Sequence, residues 1–285
     1  VIDLHTHSCA SDGTVAPEKL PELAAAINLS AVALTDHDTV AGIDGFLTAA
    51  KHFPQLVAVP GVELSTNFSS KEIHIVGLFI DHRNEALLDF LAAQRAERCR
   101  RNEMIFLKLK SLGYPLAMDE PEFARFSDAS SIGRPHFAAA LCRRYGFADS
   151  QEVFHKLLGH NRPAYVRRKT PEPAAAIEVI HAAHGVAVWA HPVYRQRNES
   201  AFVRRFCRRF APLGLDALEC YYSLFGPPET QMLLQAAHDF NLSASGGSDF
   251  HGDHSSAQLG VGMGGLSVPD ELLDTLIARK NDLFS

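Results

Sequence analysis

The stretch AVALTDHDTVAGIDGFLTAAKHFPQLVAVPGVE, residues 31–63, decides the fold. It opens on a short apolar run, passes through a helix-period segment over residues 40–53, and closes on a second apolar run over 57–63. Strand, helix and strand in that order make the repeating unit of parallel sheets covered by helices. Polar residues follow each run. Asp38 or Thr39 reads as the cap of the coming helix, which leaves His37 without a structural duty. Glu63 puts a carboxylate where an apolar strand needs none.

The same alternation extends in both directions. Strand candidates recur at residues 2–5, 73–80, 186–190, 217–221 and 244–248, with further helix-period segments at 17–29 and 228–241. This pattern predicts parallel strands with helices outside, as an open doubly wound sheet or a closed barrel. No glycine-rich phosphate fingerprint follows the first strand, which weakens the dinucleotide-binding sheet and favours the barrel. The alternation breaks between about residues 98 and 169, where helices are expected at 97–112, 134–145 and 151–158 among many arginines and lysines. The expected organisation is a β/α barrel over 1–97 and 170–285, with 98–169 as an inserted helical subdomain. Most of the insert's cations read as a solvated face.

A chain of 285 residues can bury a large core without disulfides or a structural metal, so any metal is free for chemistry. A formal charge of −6 argues against a general surface for long nucleic acids, so an anionic substrate must be met by local cations. Five cysteines, odd in number and without a CxxC pair, predict free thiols, most of them buried, in a reducing compartment. No apolar run approaches membrane-spanning length and no leader-like segment opens the chain; a cytoplasmic protein with no membrane partner is expected.

Candidate donors gather at the ends of the strand candidates. His5 and His7, two apart on an extended segment, point to one side. Asp12 follows in a turn-like Ser-Asp-Gly. His37 and Glu63 end the second and third runs, His74 lies inside the fourth, His191 ends the fifth, and Asp249 and His251 end the last, behind Gly246-Gly247. Each has an ordinary explanation by itself: a turn, a cap, a satisfied core histidine. Their joint placement at the rim where parallel α/β folds build sites is what points to chemistry. Six imidazoles and three carboxylates with no thiolate suit Zn²⁺, Mn²⁺ or Fe²⁺, and nine donors exceed the needs of one ion. Two or three divalent ions around a shared carboxylate can generate hydroxide near neutral pH and clamp a phosphoryl group.

In their order HTH…SDG, TDHD, PGVE, IHIVG, AHP and GGSDFH, these motifs resemble the PHP (polymerase and histidinol phosphatase) superfamily. The resemblance implies a distorted seven-stranded β/α barrel and three metal ions. His5, His7, Glu63 and Asp249 would hold one ion, Asp12, His37 and His251 a second, and Glu63, His74 and His191 the third. In the insert, IGRPHF (132–137) and PAYV (163–166) resemble bacterial 3′,5′-nucleoside bisphosphate phosphatases, some of which also trim short RNA from its 5′ end. Two departures are Arg167-Arg168 where relatives often have proline, and Arg195 standing one position later than the usual arginine. The resemblance thus implies removal of the 3′-phosphate from a small phosphorylated nucleotide. Arg134, offering a bidentate fork, would hold a phosphate. His136 would contact phosphate, protonate the leaving oxygen or merely cap its helix, and Arg195 and Arg197 are weaker substrate-binding candidates. The alternatives are a histidinol-phosphate phosphatase, a 5′-3′ exonuclease on short RNA ends, and a non-catalytic metal- or nucleotide-binding module.

Overall fold

The first strand, β1 (Ile2–Asp3), is too short to stand alone and is held on both sides, in parallel by β2 (Ala31–Leu34) and across the seam by the end of β7 (Ser243–Gly247) and the segment after it. Leu4 N–H donates to Gly246 O at 3.1 Å, and Thr6 bridges Phe250 in parallel, so the seven-stranded sheet, in the order β1 to β7, closes nearly on itself. The intervening strands are β3 (Val57–Phe68), β4 (Lys71–Leu78), β5 (Val186–Trp189) and β6 (Ala217–Tyr222). These positions come from a computed structural model that describes residues 1–124, 132–193, 199–254 and 256–285.

The expectation of parallel strands throughout fails at β4. It runs antiparallel to both β3 and β5. Only Ser69 and Ser70 separate β3 from β4, both at positive φ (52° and 63°), a tight hairpin of the kind that matches strand twist. A two-residue link cannot make the crossover that a parallel pair needs. The reversal sets His74, early in β4, opposite Ser65, two residues beyond Glu63 on β3.

Both faces of β2 are buried, as a strand between a barrel interior and covering helices requires. Ala31 and Ala33 join Ile2, Val59, Val76, Val188 and Ala217 in a cluster fed by every strand from β1 to β6 and packed against Leu273 and Leu276 of the last helix (Glu271–Leu283). Val32 and Leu34 face the other way, against Leu20 and Ala24 of α1 (Leu20–Ala26) and Ile43 and Phe46 of α2 (Ile43–Ala50). The helix α2 starts later than its sequence suggests, with Gly42 at its N-cap. Asp38 does not cap it; its carboxylate accepts from Ser65 N–H and Ser65 Oγ–H, each at 3.0 Å.

Contacts divide the chain into Val1–Phe90 with Thr170–Ser285, and Leu91–Lys169. The second unit has its own core. Ile105 and Leu109 of α3 (Glu85–Ser111) meet Phe137 and Leu141 of α4 (Arg134–Tyr145), with Val153, Leu157, Leu158 and Phe123. The α3 helix begins twelve residues before the expected start at residue 97. All five cysteines are free thiols, but only Cys207 and Cys220 are fully buried and Cys9 is exposed, fewer buried than expected. Among the described residues no helix is long and apolar enough to cross a membrane.

Candidate metal centre

The hub of the site is Glu63, fully buried in β3. Its Oε1 lies 2.9 Å from His74 Nδ1 and 3.0 Å from His191 Nε2. Its Oε2 lies 2.8 Å from His37 Nδ1, 3.3 Å from His7 Nε2 and 3.4 Å from His5 Nε2. Asp249 Oδ1 adds contacts to His7 Nε2 at 3.2 Å and His5 Nε2 at 3.7 Å, and Asp12 Oδ1 stands 3.3 Å from His251 Nε2. All nine side chains singled out by the motifs thus come together. They fall into overlapping groups whose donor atoms lie within 4.8 Å of one another: His7, Asp12, His37 and His251; His5, Glu63 and His191; His5, His7 and Asp249; His37, Glu63 and His74.

Those atoms fit cations better than each other. His5 Nε2, both ring nitrogens of His7, His37 Nδ1 and Glu63 Oε2 are buried and make no hydrogen bond, because even the 2.8 Å approach of His37 to Glu63 lacks a hydrogen bond's direction. Buried polar atoms left unpaired are costly, and so many aimed at one space fit a place built for cations. The donor set of imidazoles and carboxylates suits Mn²⁺, Zn²⁺ or Fe²⁺.

Electrostatics in the protein without metal follow from the same geometry. Burial opposes charge at Glu63 and Asp249, yet neighbouring charges (His37, His74 and His5 around Glu63; His5 and His7 beside Asp249) hold both carboxyls well below their usual range. Burial likewise opposes charge at His5 and His74, but carboxylate neighbours, Glu219 and Glu63 at His5 and Glu63 at His74, outweigh it and raise both. His251 is raised to about 9 against its burial by the hydrogen bond with Asp12, whereas burial, with the His251 and His37 charges, pushes His7 down to about 4.

Local backbone explains how these residues reach one place. Gly247 lies so close to β1 that a Cβ there would meet His5 N at 2.4 Å, which is why glycine follows Gly246 before the Ser248-Asp249 turn. Asp249 itself and His191 both sit at positive φ, 55° and 34°. Side chains not named among the candidates support the ligands. Asp36 accepts from Ser8 N–H at 2.8 Å and Ser11 Oγ–H at 2.5 Å, which ties down the loop that carries Asp12. Tyr222 donates its hydroxyl to Asp249 Oδ2 at 2.9 Å. Glu219, buried in β6, lies 2.9 Å from His5 Nδ1. Its signal was the one that marked Glu63, a carboxylate inside an apolar strand. A cleft of about 290 Å³ opens beside the cluster, with His37, His74, Trp189, His191, Tyr222 and Asp249 in its wall.

Of the expected substrate-binding residues, Arg134 and His136 belong to the second unit, and Arg195 and Arg197 to no described stretch. Arg134 opens α4 in the second unit, its guanidinium 5.9 Å from the Phe154 ring centroid and 5.7 Å from that of Tyr165. His136 Nδ1 accepts from Gly133 N–H at 2.9 Å, the capping role among its three expected options. Arg195 and Arg197 lie outside the described residues.

The chain is similar to the 5′-3′ exoribonuclease of Haemophilus influenzae, 37% identical over 249 residues that cover 87% of this chain and 89% of that protein. It is 32% identical over 251 residues to the 3′,5′-nucleoside bisphosphate phosphatase of Chromobacterium violaceum, covering 88% and 87%. A solved structure described as an amidohydrolase from Chromobacterium violaceum, with sulfate bound and no metal, matches with a TM-score of 0.81 at 30% identity, over 98% of this chain and 96% of that one. The PHP domain itself matches residues 3–182, the stretch that carries six of the nine clustered donors, with His191, Asp249 and His251 beyond it, and on that match the chain belongs to the PHP domain family of metal-dependent phosphoesterases.

Proposed function

We propose that this phosphoesterase removes nucleotides from the 5′ end of short RNA, and that it hydrolyses 3′,5′-nucleoside bisphosphates by the same chemistry. The observation that carries this reading is the 37% identity to an exoribonuclease across 87% of the chain, with a complete donor cluster in the barrel. The 32% identity to a bisphosphate phosphatase supports the second substrate. The two activities are one from the site's viewpoint. Each substrate offers a phosphorus on a 3′ oxygen and a phosphate at the 5′ position of the same sugar.

In this reading His5, His7, Glu63 and Asp249 hold one divalent ion, Asp12, His37 and His251 a second, and Glu63, His74 and His191 a third. Bound ions would supply an acidic water and neutralise the charge that spreads over the phosphoryl oxygens. Glu63 and the histidines fix the geometry, and the cleft walls beside them orient the phosphoryl group. Arg134 holds the substrate's other phosphate through its fork of donors. Loss of one such charge-assisted contact costs about 1.5–3 kcal/mol, or roughly 10–150-fold. Arg134→Ala is expected to lower kcat/KM by that factor with the metal content unchanged, and an unchanged kcat/KM removes Arg134 from the substrate site.

The test of the whole reading compares kcat/KM for a 5′-phosphorylated RNA trinucleotide, its 5′-hydroxyl form, adenosine 3′,5′-bisphosphate, 3′-AMP and histidinol phosphate, all with Mn²⁺. Substrates that carry the 5′ phosphate are expected to lead their partners by about tenfold or more, the worth of one well-placed charged contact. Turnover of the bisphosphate without release from the trinucleotide leaves a phosphatase. Preference for histidinol phosphate overturns both nucleotide activities.

A further inference from the structure

We propose that Glu219 is a positioning residue that sets the affinity of two cation groups, the one that includes His5 and the one that includes His191, without being a ligand itself. This rests on the metal-binding reading above. The carboxylate is buried, 2% exposed, on β6. Its Oε1 lies 2.9 Å from His5 Nδ1, and its Oε2 accepts from the backbone N–H of His191 at 2.6 Å. One side chain therefore touches two donors that come from different places in the chain, the segment after β1 and the turn after β5.

Each contact has a separate consequence. At His5, a carboxylate on the Nδ1 side selects the tautomer with hydrogen on Nδ1. The lone pair is then on Nε2, the ring atom that faces Glu63 and Asp249 and makes no hydrogen bond. At His191, the backbone is held at φ 34°, a conformation that L side chains rarely adopt. The bond from its N–H to Glu219 Oε2 anchors this turn, and the turn aims Nε2 at Glu63 Oε1, 3.0 Å away. Asp12, His37 and His251 receive no contact from Glu219 among the described hydrogen bonds, so their group serves as an internal control.

The sharpest variant is Glu219→Gln, which keeps the shape. An amide presents one acceptor and one donor group, so it can serve His5 Nδ1–H or His191 N–H but not both. The experiment titrates Mn²⁺ and Zn²⁺ into metal-free wild type and variant, with a competing chelator and calorimetry. Wild type must bind the ions, and if it does not, the metal reading itself has failed. The variant is expected to bind the two ions of His5 and His191 about 10–100-fold more weakly, while the ion of Asp12, His37 and His251 keeps its affinity. The zinc-loaded wild type is also expected to show a protected downfield proton resonance from His5 Nδ1–H that shifts or vanishes in the variant. Excess Mn²⁺ should restore most of the variant's turnover. Should Glu219→Gln fail to fold, Glu219→Asp, which keeps both acceptors on a shorter arm, is titrated instead with the same expectation. Unchanged affinity for every ion, or equal weakening of all of them with a lowered melting temperature, overturns the proposal and leaves Glu219 as a general buttress.

Discussion

Glu63→Gln is expected to cost roughly 10²–10⁴-fold in kcat/KM, with loss of bound metal. The carboxylate stands within 3.4 Å of five imidazoles, and an amide cannot reproduce that. Its nitrogen would present hydrogens to rings that also need an acceptor or a cation. Removing one member of a buried charged network costs about 3–5 kcal/mol, and each 1.36 kcal/mol is about tenfold in rate, which gives the range above. The effect exceeds that at Arg134 because Glu63 serves every histidine around it, while the role proposed for Arg134 is a contact to one phosphate. Steady-state kinetics together with elemental analysis decide the matter. Wild-type turnover with a full metal complement in the variant would show that Glu63 is not the hub.

Chelation is expected to abolish turnover and to reverse how stability depends on pH. In the metal-free protein His5, His37 and His74 are raised despite burial because Glu63, with Glu219 at His5, favours their charged forms, and His251 rises to about 9. A histidine raised on folding adds stability that is fully present below its unfolded value of 6.5 and is lost as pH rises through the folded value. His7, pushed down to about 4, acts only below pH 6.5, where stability rises with pH. Between about pH 6.5 and 9 the metal-free melting temperature should therefore fall. The metal-loaded protein should do the opposite, since ions bind only neutral imidazoles and must displace those protons. Thermal melts of chelated and Mn²⁺-loaded protein across this window check both signs. Parallel slopes, or turnover that survives chelation, would sink the idea.

The barrel was legible because its strands are short apolar runs with helix-period segments between them, and the donors because each stands where an apolar run should have continued. Strand direction was not. Ser69-Ser70 has no glycine or asparagine to announce a hairpin, so β4 read as one more parallel strand, and His74 as a ligand only through the order of the motifs. Asp38 was misread for a related reason. An aspartate ahead of a helix looks like a cap, and only tertiary structure shows Ser65 close enough to compete for it. Glu219 carried the signal used for Glu63 but stands inside its apolar run rather than at the end of it, and its partners are distant: His5 is 214 positions away.

The seam between the first and last strands has a consequence for the protein's own synthesis. Asp3 accepts from Ser248 N–H across 245 positions of chain, and beside that bond Asp249 meets His5 and His7. The first donors to leave the ribosome therefore wait for nearly the last before their cluster can close. A nascent chain that presents His5, His7 and Glu63 still lacks Asp249 and His251, so the phosphoesterase site stays incomplete until β7 and the turn after it have emerged.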